Sequence, residues 1–154
     1  MTTVIFDRLS EVERIQNPAF CALLLWHYGR SFQATESADS PPFISHFLIL
    51  PLCLHRPTLN LALSTKPSSG LGKFCEKLSA NREELLAVHE RAQLLRELTL
   101  NALGVGARTG LLQINYSDGL VRSAEIHKLP TFDRLTPFVK GAERFGGWFR
   151  RAGL

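Results

Sequence analysis

Leu112-Gln113-Ile114-Asn115-Tyr116-Ser117-Asp118-Gly119-Leu120-Val121-Arg122-Ser123 carries the clearest β signal in the chain, and its reading decides the fold. Leu112, Ile114 and Tyr116 alternate with polar residues and run into Asp118-Gly119, a favoured two-residue hairpin turn. A loop of that length pairs Tyr116 with Val121 and Asn115 with Arg122. A lone hairpin is marginal in water and needs something to pack against. What precedes it is helical. Asn81-x-x-Glu84 has the form of a capping box, with asparagine in place of Ser or Thr. Leu85, Leu86, Val88, Leu94, Leu95, Leu98, Leu100 and Leu103 then keep helical spacing to about Thr109, with a break expected near His89 or Leu98. Gly110 suits a left-handed C-terminal cap. A helix running directly into a short hairpin is the closing element of a winged-helix domain.

Outward from this unit the chain stays helical. Asn17-Pro18 reads as an N-cap followed by proline at the first helical position. The run Ala19 to Tyr28 is apolar nearly all round, as expected of a helix at the centre of a core, with fraying near Gly29. Gln33 to Ser40 reads as a surface loop. Ser40-Pro41 repeats the cap-plus-proline signal and opens a second helix through Phe43, Phe47, Leu48 and Leu50, with Pro51 as a kink. Thr58 to Leu63 forms a short third helix. Leu71 to Leu78 forms a fourth, with Leu71, Phe74, Cys75 and Leu78 on one side. A final helix from about Thr131 to Arg151 carries Leu135, Phe138, Val139, Phe145, Trp148 and Phe149, and its three glycines allow a bend. The expected fold is mainly α: a helical domain with a winged-helix-like β-hairpin wing and a C-terminal helix. Residues 1–154 read as a single domain, with an apolar helical core over 15–63, a helix-plus-hairpin unit over 64–130 and the C-terminal helix over 131–154.

The chain of 154 residues is 45% hydrophobic and 21% charged, ordinary for a globular protein, with a net charge of +4. The charge is uneven: residues 1–63 carry 4 basic and 5 acidic side chains, residues 64–154 carry 14 and 9. The basic half is compatible with an acidic partner such as nucleic acid. Cys21, Cys53 and Cys75 read as reduced core thiols of a cytoplasmic protein. The N-terminus, with Asp7, Glu11 and Glu13, has no secretory-signal pattern. Phe43 to Leu54 is about half the roughly 20 residues that span a bilayer, which argues against a membrane protein.

Thr65-Lys66-Pro67-Ser68-Ser69-Gly70-Leu71-Gly72-Lys73-Phe74 approaches a phosphate-binding loop, G-x-x-x-x-G-K-[ST], and fails. Pro67 occupies the first glycine position and Phe74 replaces the metal-binding hydroxyl. Cys53-x-His55 lacks a second pair at zinc spacing, and no nucleophile is aligned with a base. No catalytic residue, metal or cofactor is expected. What remains are surfaces. Lys66, Ser68, Ser69, Lys73 and Lys77 surround a predicted helix N-terminus, where a phosphate or a partner's carboxylate can bind. Lys140, Arg144, Arg150 and Arg151 lie near Trp148 and Phe149; such interleaving occurs in nucleic-acid sites, although helical spacing commonly turns the aromatics to the core. Arg122 on the wing and Lys128 after it would add phosphate contacts if the wing touches DNA.

Four blocks of sequence resemble the middle component of three-component ABC ATPase systems, which are bacterial conflict and anti-phage modules. They are Gln16-Asn17-Pro18-Ala19-Phe20-Cys21-Ala22-Leu23-Leu24-Leu25-Trp26, Leu50-Pro51-Leu52-x-Leu54-His55-Arg56-Pro57, Ser64-Thr65-x-x-Ser68-Ser69-Gly70-Leu71-x-Lys73-Phe74, and Lys140-Gly141-Ala142-Glu143-Arg144-Phe145-Gly146-Gly147-Trp148-Phe149. The resemblance runs from about Ile15 to Leu154. It implies a non-enzymatic adaptor that couples an SMC- or Rad50-like ABC ATPase to an effector subunit, often a nuclease. DNA would be reached through the complex, and a homo-oligomer is left open. A stand-alone winged-helix DNA-binding protein is the competing expectation.

Overall fold

The computed structural model describes residues 16–34, 39–126, 129 and 133–154. Asn17 starts the helix around which the others are arranged. Its side-chain oxygen accepts from the N–H groups of Ala19 at 2.8 Å and Phe20 at 3.3 Å, and Pro18 supplies the first helical φ. The helix, α1 (Pro18–Gln33), buries Cys21, Ala22, Leu24, Leu25, Trp26, Tyr28 and Phe32. It does not fray at Gly29. That glycine is buried, and a Cβ there would collide with the Ser123 hydroxyl, so it serves close packing and not helix termination.

After α1 come α2 (His46–Cys53), α3 (Arg56–Ser64), α4 (Gly70–Ser79), α5 (Arg82–Leu94), α6 (Arg96–Thr109), the strands β1 (Leu112–Asn115) and β2 (Leu120–Ser123), and α7 (Thr136–Arg151). The fold is therefore mainly helical with one small antiparallel sheet and a C-terminal helix. Ser40-Pro41 does not open α2. Pro41 and Pro42 are a strand-like segment instead: Val121 donates to the Pro41 carbonyl at 3.0 Å, Phe43 donates to the Gly119 carbonyl at 2.7 Å, and Pro42 bridges Leu120. A residue before proline is pushed to extended geometry, which is why Pro41 cannot begin a helix here. A 3-10 turn over Phe43–Ser45 then leads into α2. β2 thus lies between β1 and the Pro41–Phe43 segment.

The hairpin register differs from the expected one by two residues. Asn115 pairs with Leu120 and Ile114 with Val121, which leaves Tyr116 to Gly119 as a four-residue loop. Side chains take over the loop's backbone donors: Asn115 accepts from Ser117 N–H at 2.9 Å and Asp118 from Leu120 N–H at 3.0 Å. An even shift keeps each side chain on its face, so Leu112 and Val121 still point to the core. The helical break falls at Leu95, between the two expected positions. Gly110 ends α6 at φ 80°, in the left-handed conformation its position required. α7 begins later than expected, at Thr136 after a 3-10 turn over Asp133–Leu135; Thr131 and Phe132 lie outside the described residues. So do residues 35–38 of the loop expected between α1 and α2, the acidic N-terminal residues, and Lys128.

α1 packs chiefly on α7 and α6. At Gly146 the backbones of α1 and α7 nearly touch. A Cβ there would collide with the Tyr28 carbonyl and lie 3.0 Å from the Phe32 nitrogen. Around this crossing Phe74, Phe145, Trp148, Phe149 and Tyr28 form a ring cluster, with Phe74 and Phe145 centroids 5.3 Å apart and Tyr28 edge-on to Phe149 at 5.8 Å. No single helix among the described residues is long and apolar enough to cross a membrane.

A polar cluster is sealed in this core. The Tyr28 hydroxyl and Ser45 Oγ are 2.7 Å apart, and Ser45 Oγ also donates to the Pro42 carbonyl at 2.7 Å. His46, fully buried and edge-on to Tyr28 at 5.1 Å, reaches the same carbonyl through Nδ1 at 2.9 Å. A carbonyl only accepts, so the proton sits on Nδ1 and leaves a bare, buried Nε2. Burial pushes the His46 pKa from 6.5 down to about 4. Between those values the unfolded chain binds a proton that the folded chain refuses. The contribution is therefore complete above pH 6.5 and lost as pH falls toward about 4, on the order of 3 kcal/mol across the window. Urea unfolding from pH 7 to pH 4.5 should show a stability slope that His46→Phe flattens by about 1 kcal/mol per pH unit; equal slopes in both proteins would refute this account.

Candidate functional site

The failed phosphate loop occupies the joint between α3 and α4. Pro67–Ser69 form a 3-10 turn, and Gly70 begins α4 at φ 81°. Pro67 has no N–H to offer an anion, and its carbonyl points inward. It accepts from Trp148 Nε1 at 3.0 Å and from the Arg151 guanidinium at 2.8 Å. Phe74 is 1% exposed and lies between Phe145 and Trp148. The position of the metal-binding hydroxyl is thus filled by a core side chain, and the segment is no nucleotide cradle.

Arg144 supplies the third tie. Its NH1 donates to the carbonyls of Ala62 at 3.2 Å, Leu63 at 2.8 Å and Thr65 at 3.0 Å. These carbonyls lie at the end of α3, where backbone acceptors lack helical partners and the dipole favours a cation. Arg144, Trp148 and Arg151 follow one another at i, i+4 and i+7, so a single stripe of α7 holds the whole joint. Lys77 is also turned inward, donating from Nζ to Thr65 Oγ1 at 3.2 Å.

The other side of the joint faces solvent. Lys66, Ser68, Ser69 and Lys73 are all exposed and cluster at the start of α4. Ser69 sits at the N-cap position without making a side-chain capping hydrogen bond to the start of α4. Lys73 lies 3.7 Å from Glu76, an exposed pair of little energetic consequence. Of the residues singled out in the sequence, these four come together, whereas Lys77 and Arg144 are committed to the fold. Arg122 stands exposed on β2 opposite Gln113, and Lys140 is exposed on α7.

The interleaved basic and aromatic residues of α7 do not form a stacking surface. Trp148 and Phe149 are buried, and Arg150 pairs with Asp39 at 3.0 Å while lying over the Phe32 ring. Cys21 and Cys53 are core thiols, as expected, and burial pushes Cys21 up to about 12. Cys75 departs from expectation: it is exposed, because Phe74 and Leu78 define the inner line of α4 and Cys75 falls at its edge. His55 Nδ1 is 2.8 Å from Thr58 Oγ1, and among the described residues no three His, Cys, Asp or Glu side chains converge. Sequence reasoning passed over Arg91, which donates from Nε to the Pro51 carbonyl at 3.3 Å and from NH2 to Thr58 Oγ1 at 3.2 Å. Its spacing from Glu84 and Val88 on the inner side of α5 was the available signal. The division of labour on α7 has a direct test. Arg144→Met should lower unfolding stability by about 2–3 kcal/mol, and Lys140→Ala should leave it within about 0.5 kcal/mol; thermal and urea unfolding of both variants would read this out.

A family model described as the ABC-three component (ABC-3C) system Middle Component 3 matches residues 6–154, and the chain belongs to that family. Comparison with characterised proteins and with solved structures gives no match.

Proposed function

We propose that this family member is a non-enzymatic adaptor that couples an SMC/Rad50-like ABC ATPase to an effector, such as a nuclease, in a cytoplasmic bacterial anti-phage or conflict system. The observation that carries the reading is a family match over residues 6–154, in a family described as a system component. The surface at the start of α4 supports it. Lys66, Lys73 and the start of α4, which has no side-chain cap, present positive charge on a joint that Arg144, Trp148 and Arg151 already hold. A partner carboxylate or phosphate would meet a preorganised surface, with little further ordering cost. Co-expression with an SMC/Rad50-like ABC ATPase from the same genome, followed by affinity purification with and without ATP, is the first test; components that never associate would end this reading. The joint is then tested by Lys66→Glu with Lys73→Glu. Assembly should weaken at least about tenfold, with unchanged thermal stability because both lysines are exposed; wild-type assembly would make the joint a plain capped loop.

Stand-alone DNA binding by a winged helix is the second reading. It is favoured by the Pro41–Phe43 segment completing a small sheet with the hairpin, and by exposed Arg122 on β2. Against it, the exposed residues of α6 include Glu97 and Asn101 beside Arg108, a mixed face for a phosphate-lined groove. This reading expects duplex affinity that falls steeply with salt and weakens on Arg122→Ala or Lys140→Ala; absence of binding at low salt eliminates it.

A further inference from the structure

A second surface lies on a different part of the molecule, where the ends of α2 and α5 meet. Pro51, Leu54, His55, Arg91, Leu94 and Leu95 line a groove of about 330 Å³. Its lip is apolar: Leu94 is 80% exposed, and α5 carries no fully buried residue that would account for a leucine there. Its floor is charged. The Arg91 fork is oriented by the Pro51 carbonyl, an orphan acceptor near the end of α2, and by Thr58. Those bonds use two of its five N–H donors. No described carboxylate forms an ion pair with it. Partial burial lowers the pKa of Arg91, with Glu84 the acidic group that opposes this, yet a guanidinium remains charged. His55 is held toward its neutral form by its own burial and by Arg91, against the pull of Glu84, so Arg91 is the cation that the groove lining presents beside its leucines.

We propose that this groove takes an acidic, leucine-type segment of a partner protein, its carboxylate on Arg91 and its aliphatic side chain against Leu94, Leu95 and Leu54. A carboxylate matches the planar fork bidentately, and no described carboxylate stands within ion-pair distance of this partly desolvated guanidinium. A cationic segment meets repulsion in the same place, so the charge sets selectivity while Leu94 supplies contact area. The inference rests on the adaptor reading only for which protein carries the segment.

The test contains no ATPase, so its failure and that of the adaptor reading are separable. A labelled synthetic helical peptide, with leucines at i, i+4 and i+7 and glutamates between them, is titrated with the full chain by fluorescence anisotropy. A second peptide replaces every glutamate with lysine. The glutamate peptide should bind and the lysine peptide should not. Leu94→Glu should weaken binding at least about tenfold without changing thermal stability, since Leu94 is exposed. Leu86→Glu, at another exposed position of α5, should bind as the wild type does. Binding of both peptides alike, indifference to Leu94→Glu, or equal loss with Leu86→Glu would overturn the proposal. Self-association of the wild type that Leu94→Glu abolishes in sedimentation would assign the groove to a second copy and overturn it as well.

Discussion

The backbone contact between α1 and α7 at Gly146 is the constraint from which the rest of the arrangement follows. A side chain at that position would meet the Tyr28 carbonyl, so the two helices approach as closely as their main chains allow. With the crossing fixed, Phe145 and Phe149 fall on Tyr28 and Phe74, and the packing of this ring cluster defines where α4 sits. Gly29, the residue after Tyr28 in α1, lets the Ser123 side chain pack against the helix and docks the hairpin. Two glycines in helices, each at a cost in helix propensity of about 1 kcal/mol relative to alanine, are retained because packing outweighs that cost.

The same helix separates basic residues that build the fold from basic residues that face outward. Arg144 and Arg151 spend their donors on carbonyls of the α3–α4 joint, and Arg150 is shared between Asp39 and the Phe32 ring. Lys66 and Lys73 project from the joint that these arginines hold. The net charge of +4 is therefore a poor guide to a binding face. Planar guanidinium groups suit carbonyl clamps, while the compact, strongly hydrated ammonium of lysine is left to solvent.

Much of the fold was legible in the sequence where a local rule governs. Asn17-Pro18 fixed the start of α1, Gly110 the end of α6, and the alternation of Leu112 and Ile114 the first strand. The failures fall where distant groups compete with local ones. Ser40-Pro41 has the chemistry of a helix start, but Val121 claims the Pro41 carbonyl for the sheet. Asp118-Gly119 favours a two-residue turn, but the side chains of Asn115 and Asp118 bond the loop and widen it. Gly29 reads as a helix end until Ser123 is seen occupying the space beside it. Of the candidate surface, the exposed cluster at α4 was readable from composition. The inward commitment of Lys77 and Arg144 was not, since their partners lie 12 residues and about 80 residues away in sequence.

The chain's two tryptophans each tie a connecting segment to a long helix. Trp26 Nε1 donates to the Ala124 carbonyl just past β2 at 2.8 Å, and Trp148 Nε1 donates to Pro67 in the α3–α4 joint. Both indoles are nearly enclosed, at 7% and 1% exposure. The protein consequently contains two intrinsic optical probes, one reporting on the hairpin and the other on the lysine-bearing joint. With one indole replaced at a time by phenylalanine, emission wavelength and quenching would distinguish an event at the hairpin from an event at the joint without any added label.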